Sequence, residues 1–180
     1  MKLNKIFQFI EDNKGYKTPF KYKLINKIPL TKDELFVDGQ LDLDYTNITE
    51  LPENLEVRGS LYIRNTQLIT LPKTLKVGYT ISAEESEIQY LPDNMTVNGN
   101  LDLDYTNIKE LPNNLHVSGT LWLSDTNVDS IPNGLKIHGD LYLYRTPLGK
   151  LYTDYDIRKL LKEKDGQVYG YIYTNKIAEI

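Results

Sequence analysis

The sequence predicts a mainly β protein, a right-handed parallel β solenoid closed by small helical or mixed caps. Three observations carry that expectation. A 20-residue unit recurs without insertion or deletion over residues 31–150. Aliphatic residues return at the same positions of every unit, and within the unit apolar and polar residues alternate with the period of two that marks a strand. The organisation that follows is a partly helical N-terminal cap over 1–30, six repeats over 31–150, and a C-terminal cap of helix plus strand over 151–180.

From residue 51 the units read LPENLEVRGSLYIRNTQLIT, LPKTLKVGYTISAEESEIQY, LPDNMTVNGNLDLDYTNIKE, LPNNLHVSGTLWLSDTNVDS and IPNGLKIHGDLYLYRTPLGK. The unit at 31–50, TKDELFVDGQLDLDYTNITE, lacks only the opening Leu-Pro. Residues twenty apart should therefore stack. One such file is Leu51, Leu71, Leu91, Leu111, Ile131 and Leu151; another is Val37, Val57, Val77, Val97, Val117 and Ile137. Files of this kind build a continuous core that no single unit could bury alone. Twenty residues leave no room for a helix in each coil, so each is a strand, a tight bend and an extended return. Parallel coils about 4.8 Å apart make six span roughly 28 Å.

The remaining fixed positions have backbone duties. Pro52, Pro72, Pro92, Pro112 and Pro132 fix φ and remove a donor, which suits corners. Gly39, Gly59, Gly99, Gly119 and Gly139 fit a bulge or a positive-φ bend between two short strands. Thr46, Thr66, Ser86, Thr106, Thr126 and Thr146 form a hydroxyl file that satisfies backbone groups at the turn inside the stack.

The pattern LPxxLxVxGxLxLxxTxI resembles leucine-rich repeats of the short, 20-residue bacterial type. It is also similar to small LPxxLxVxGxLxLxxT proteins encoded by bacteria and bacteriophages. The resemblance covers residues 31–150 and implies a phage or bacterial accessory protein, one that blocks a host factor. Threonine stands where most leucine-rich repeats place asparagine. The unit at 71–90 departs further: Gly78-Tyr79 replaces the expected x-Gly, and Ala83-Glu84-Glu85-Ser86 breaks the strand pattern.

The ends fall outside the repeat. Leu3, Ile6, Phe7 and Ile10 sit at helix spacing, predicting an amphipathic helix over about residues 2–13 that covers the first coil. Thr153 with Asp156 resembles a capping box for a helix through about Lys164, with Ile157, Leu160 and Leu161 on its inner face. Val168, Gly170 and Ile172 then alternate with Tyr169, Tyr171 and Tyr173, and packing of the three tyrosines on that helix is expected.

Composition narrows the function. The 180 residues include no cysteine and two histidines, which removes thiolate chemistry and leaves little for zinc or a histidine base. His116 and His138 occupy different files and read as surface residues. Residues 1–30 carry a balance of +5, residues 31–150 one of −9, and residues 151–180 none. An acidic body disfavours direct nucleic-acid binding. Ile6-Phe7-Gln8-Phe9-Ile10 is too short for a signal peptide or membrane span, so a cytoplasmic protein with no membrane partner is expected.

DLDYTN occurs at 42–47 and 102–107, but Leu43 and Leu103 belong to core files, so these are strands rather than calcium loops. The pairs Asp42/Asp44 and Asp102/Asp104 should lie roughly 14 Å apart, beyond glycosidase spacing. Within each pair nothing is expected to force one pKa upward. No enzyme activity, cofactor or metal is expected. The varied positions lie on the outward face of the second strand: Asp42, Tyr62, Ser82, Asp102, Trp122, Tyr142 in one file and Asp44, Arg64, Glu84, Asp104, Ser124, Tyr144 in the next. Tyr45, Asn65, Glu85, Tyr105, Asp125 and Arg145 lie beside them. Rigid aromatics and arginines ringed by acids suit recognition of a partner protein with a basic patch. The residues expected to contact it are Asp42, Asp44, Tyr62, Arg64, Asp102, Asp104, Tyr105, Trp122, Tyr142, Tyr144 and Arg145. The alternatives are an acidic nucleic-acid mimic occupying a DNA-binding protein, and a self-associating component of a larger assembly.

Overall fold

A computed structural model describes residues 17–177; the helix expected over about 2–13 lies outside the described residues. The chain enters through a short helix, α1 (Phe20–Ile25), and a 3-10 turn, Asp33–Leu35. Each repeat then contributes two strands of two residues. These are β1 (Phe36–Val37) and β2 (Leu41–Asp42), β3 (Glu56–Val57) and β4 (Leu61–Tyr62), β5 (Lys76–Val77) and β6 (Ile81–Ser82). They continue as β7 (Thr96–Val97) and β8 (Leu101–Asp102), β9 (His116–Val117) and β10 (Leu121–Trp122), β11 (Lys136–Ile137) and β12 (Leu141–Tyr142). Two helices, α2 (Pro147–Leu151) and α3 (Asp154–Glu163), precede β13 (Gln167–Val168) and β14 (Ile172–Tyr173).

All pairings are parallel, and within the repeats each joins residues twenty apart, as in Leu41 with Leu61 and Trp122 with Asp102. The protein is therefore mainly β, and its parallel sheets form a solenoid. The second strands make one uninterrupted seven-stranded sheet from β2 to β14. The core is the aliphatic files: Leu61, Leu101, Leu121 and Leu141, with Ile63, Leu103, Leu123 and Leu143, are fully buried. Each such side chain contributes about 1.5–3 kcal/mol relative to exposure.

The hydroxyl file does what the pattern implies. Thr46, Thr66, Thr106, Thr126 and Thr146 each donate through Oγ1 to the carbonyl three residues earlier, at 2.7–2.9 Å. Ser86 is the exception, since its buried Oγ has no partner. The glycine file has a different cause from a left-handed bend. Of its five members only Gly39 has a positive φ, 125°. At Gly59, Gly99, Gly119 and Gly139 a Cβ would meet the backbone of the preceding coil at 2.6–2.9 Å, so close approach excludes a side chain.

Of the two departures in the unit at 71–90, only the one at Gly78-Tyr79 disturbs a sheet. Ala83 is fully buried and β6 stays in register, so the second sheet passes through intact. The first strands instead divide into β1-β3-β5 and β7-β9-β11-β13. Tyr79 occupies the place of glycine, and its N–H reaches the Gly59 carbonyl at 3.3 Å, where Gly59 and Gly119 make the same bond at 2.7 and 2.9 Å. In neighbouring coils the carbonyl before this bend accepts from a backbone N–H, as Val97 does from Ser118. Val77 accepts from the Asn98 side chain instead, at 3.3 Å. Leu75 and Met95 are only partly buried there, beside a cavity of about 330 Å³.

At the C-terminal end Thr153 caps α3, and Thr153 with Asp156 completes a capping box. Ile157 and Leu161 are buried against the last coil. The chain then forms a further coil. Gln167 pairs with Lys136 and Ile172 with Leu141, thirty-one residues on instead of twenty. The eleven extra residues are accommodated by the helical excursion, after which Val168-x-Gly170-x-Ile172 resumes the repeat pattern.

Candidate functional site

The outward face of the second sheet divides into three zones. At the N-terminal end Asp42 is exposed, and its Oδ1 accepts the N–H of Asp44 at 3.0 Å. Asp44 Oδ1 accepts the backbone N–H of Arg64 at 2.7 Å, while its Oδ2 accepts Arg64 Nε at 2.8 Å and Nη2 at 2.6 Å. Arg64 is thereby neutralised by the coil before it, and Asp44 raises its pKa mainly through that hydrogen bond. Tyr62 lies half-buried between Asp42 and Ser82.

The middle zone is a group of under-neutralised carboxylates. Asp102 Oδ1 accepts the Asp104 N–H at 3.1 Å, and Asp104 Oδ1 accepts the Ser124 N–H. Both acids are half-buried between coils. Burial raises the Asp102 pKa. Burial also pushes Asp104 up to about 6, with the charges of Asp102 and Glu84 adding to the shift. Glu84 is raised in turn by desolvation and by Asp102 and Glu85. The expectation that nothing forces a pKa upward in these pairs is thus corrected at Asp102 and Asp104. The cause is the adjoining coils, which remove water and supply Glu84.

The third zone is aromatic. Trp122, paired in register with Asp102, is half-buried and stacks on Tyr142 with centroids 5.8 Å apart and planes 13° apart. Tyr142 stacks in turn on Tyr173 at 4.4 Å and 15°. Tyr144 is tilted against both rings, and Tyr171, 72% exposed, lies 6.3 Å from Tyr173. Tyr171 and Tyr173 were not among the expected contact residues. The signal was present, because Val168-x-Gly170-x-Ile172 repeats Ile137-x-Gly139-x-Leu141, but the altered spacing conceals it. The tyrosine rings meet other rings: Tyr173 stacks on Tyr142, and Tyr171 and Tyr169 are largely exposed. Tyr169 lies 4.9 Å from His138, which stacks on His116 at 5.0 Å. Of the two histidines only His138 is a surface residue; His116 is half-buried, with Nε2 sealed and unpartnered.

Beside these zones, Arg145 grips Asp125 through Nε and Nη2 and reaches the Tyr105 hydroxyl at 3.4 Å. The hydrogen bond from Arg145 holds the Asp125 carboxyl below its usual range. Tyr45, Asn65, Glu85, Tyr105, Asp125 and Arg145 all have φ between 52° and 61°. Asn and Asp tolerate this left-handed conformation, whereas other L-residues incur roughly 1–2 kcal/mol. No family model and no curated protein matches the chain.

Proposed function

We propose that this protein is a non-enzymatic binding module of leucine-rich-repeat type that recognises a partner protein through the outward face of its second sheet. The observation that carries the reading is the boundary at Asp102 and Trp122. There a stacked aromatic file, Trp122–Tyr142–Tyr173, adjoins carboxylates whose pKa values burial has raised. Ordered rings give contact area at little entropic cost, and a partner's lysine or arginine would supply the charge that Glu84, Asp102 and Asp104 lack. Tyr45, Glu85, Tyr105 and Arg145 support the reading, because glycine or asparagine would suit their backbone better. The acidic-mimic reading has less support, since Arg64 and Arg145 neutralise Asp44 and Asp125 within the same face.

In this reading Trp122, Tyr142 and Tyr144 anchor the partner while Asp102 and Asp104 engage its basic patch. Resemblance to bacterial and bacteriophage repeat proteins makes a cytoplasmic inhibitor of a host factor the role that fits. Affinity capture from a bacterial lysate should recover one dominant protein. Capture should fail with Trp122→Ala combined with Tyr142→Ala, and weaken with Asp102→Asn combined with Asp104→Asn, which leaves the rings in place. Equal recovery by the folded variants and the parent chain would remove the proposal.

A further inference from the structure

Along the first strands, the coils away from Tyr79 and Asn98 donate backward in a fixed way. The residue after the strand gives its N–H to the preceding strand's last carbonyl, and the glycine gives its N–H to the preceding glycine's carbonyl. Arg58 N–H meets Val37 O at 3.0 Å and Gly59 N–H meets Gly39 O at 2.7 Å. The same pair recurs as Ser118 to Val97 with Gly119 to Gly99, His138 to Val117 with Gly139 to Gly119, and Tyr169 to Ile137 with Gly170 to Gly139. Among the described residues β13 is the edge strand of this sheet, an arrangement that by itself leaves the carbonyls of Val168 and Gly170 open. They are nonetheless filled. Arg158, on α3, donates Nη1 to Val168 O at 2.8 Å and Nη2 to Gly170 O at 2.7 Å. One guanidinium occupies both places that a further coil's N–H groups would take.

The opposite end presents the complementary half. Among the described residues, the N–H groups of Asp38 and Gly39 have no acceptor. These are the first coil's counterparts of Arg58 and Gly59. Gly39 is also the one member of its file at which a Cβ would meet nothing within 4 Å. A second copy of this chain, stacked head to tail, would bring two donors to two acceptors in the native register. A heterologous contact of that kind does not close and propagates.

We propose that Arg158 is the stop that keeps the solenoid a discrete molecule, by sealing the edge of β13 against the first coil of a second copy. A fork of two N–H groups suits this task, because an ammonium on a flexible stem does not present two fixed, parallel donors. Sealing acts on main-chain carbonyls, so it is indifferent to side-chain identity on either coil. Among the described residues the first strands therefore end differently at their two outer edges, with a plug at β13 and an open donor pair at β1.

Sedimentation velocity over a tenfold concentration range tests this. The parent chain should stay monomeric, and Arg158→Met, which keeps the helix and the aliphatic stem, should at least about double its average mass at the upper end. Adding Asp38→Pro, which deletes one donor at the far edge, should return Arg158→Met to a monomer. Arg158→Lys retains charge but not the fork and should associate to an intermediate degree; it decides the matter if the methionine variant does not fold. Association of the parent chain, monomeric behaviour of the folded Met or Lys variants, or assembly that survives Asp38→Pro would each overturn the proposal.

Discussion

Residues 42–47 and 102–107 have one sequence, DLDYTN, and one local structure, yet different charged neighbours. In both, the first Asp accepts the N–H of the second, the second accepts the N–H twenty residues on, the Leu is fully buried, and the Thr closes the turn. The copies differ in what lies above and below. The first sits in the outermost repeat with Arg64 as its neighbour, which takes up Asp44 in a bidentate pair. The second lies mid-stack between Glu84 and the coil carrying Trp122 and Ser124, and there burial outweighs the distant charge of Arg64 at Asp102, while Asp104 has Asp102 and Glu84 beside it. In a solenoid the chemistry of a residue is set by positions twenty away, while its conformation is set by its own coil.

Truncation of the shared core should have the largest effect on both copies. Leu43→Ala and Leu103→Ala should each destabilise by about 2–5 kcal/mol in denaturant titration, with the mid-stack variant the worse. A clear excess at Leu43 would break the equivalence of the two coils. Next comes the pair that should split in sign. Asp44→Asn loses the charge that holds Arg64 and should destabilise in the same titration, by less than either core truncation. Asp104→Asn keeps the acceptor for Ser124 and sheds a disfavoured charge, so it should stabilise by about 1 kcal/mol after screening at a half-exposed site is allowed for.

The pH dependence sharpens the same contrast. Asp104 holds its proton more tightly in the fold, to about pH 6, than in the unfolded chain, where its ordinary value is 3.8. Its contribution to stability is therefore greatest below about pH 4 and is lost as pH rises through 6. Carbon-detected NMR titration should place the Asp104 midpoint near 6, and Glu84→Gln should lower it. An unshifted Asp104 would remove the distinction between the copies. The smallest effect belongs to the left-handed position: Tyr45→Asn should raise stability by about 0.5–1 kcal/mol in thermal unfolding.

Much of the fold was legible because the aliphatic files repeat without a gap, and the hydroxyl file announced its role through one small donor per coil. Other features carry no such mark. Gly78-Tyr79 showed that the third unit departs, but only backbone contacts between coils reveal that the first sheet breaks and that Asn98 patches it. Tyr45, Glu85, Tyr105 and Arg145 are poor left-handed residues, so their conformation is invisible in the residue types. On the candidate surface the files themselves were legible, whereas the burial of Asp102 and Asp104 depends on neighbours that sequence adjacency does not supply. Tyr171 and Tyr173 escaped because eleven extra residues displaced them from the expected spacing.

That detour has a practical meaning of its own. After Thr146 the backbone leaves the stack, folds two helices, and re-enters with its pairing intact. The corner following the hydroxyl is therefore a docking port for foreign sequence. Loops or whole helical modules spliced behind Thr106 or Thr126 would hang from the rod's flank while the coils on either side close as before, giving evolution and engineers alike a place to add parts without redrawing the frame.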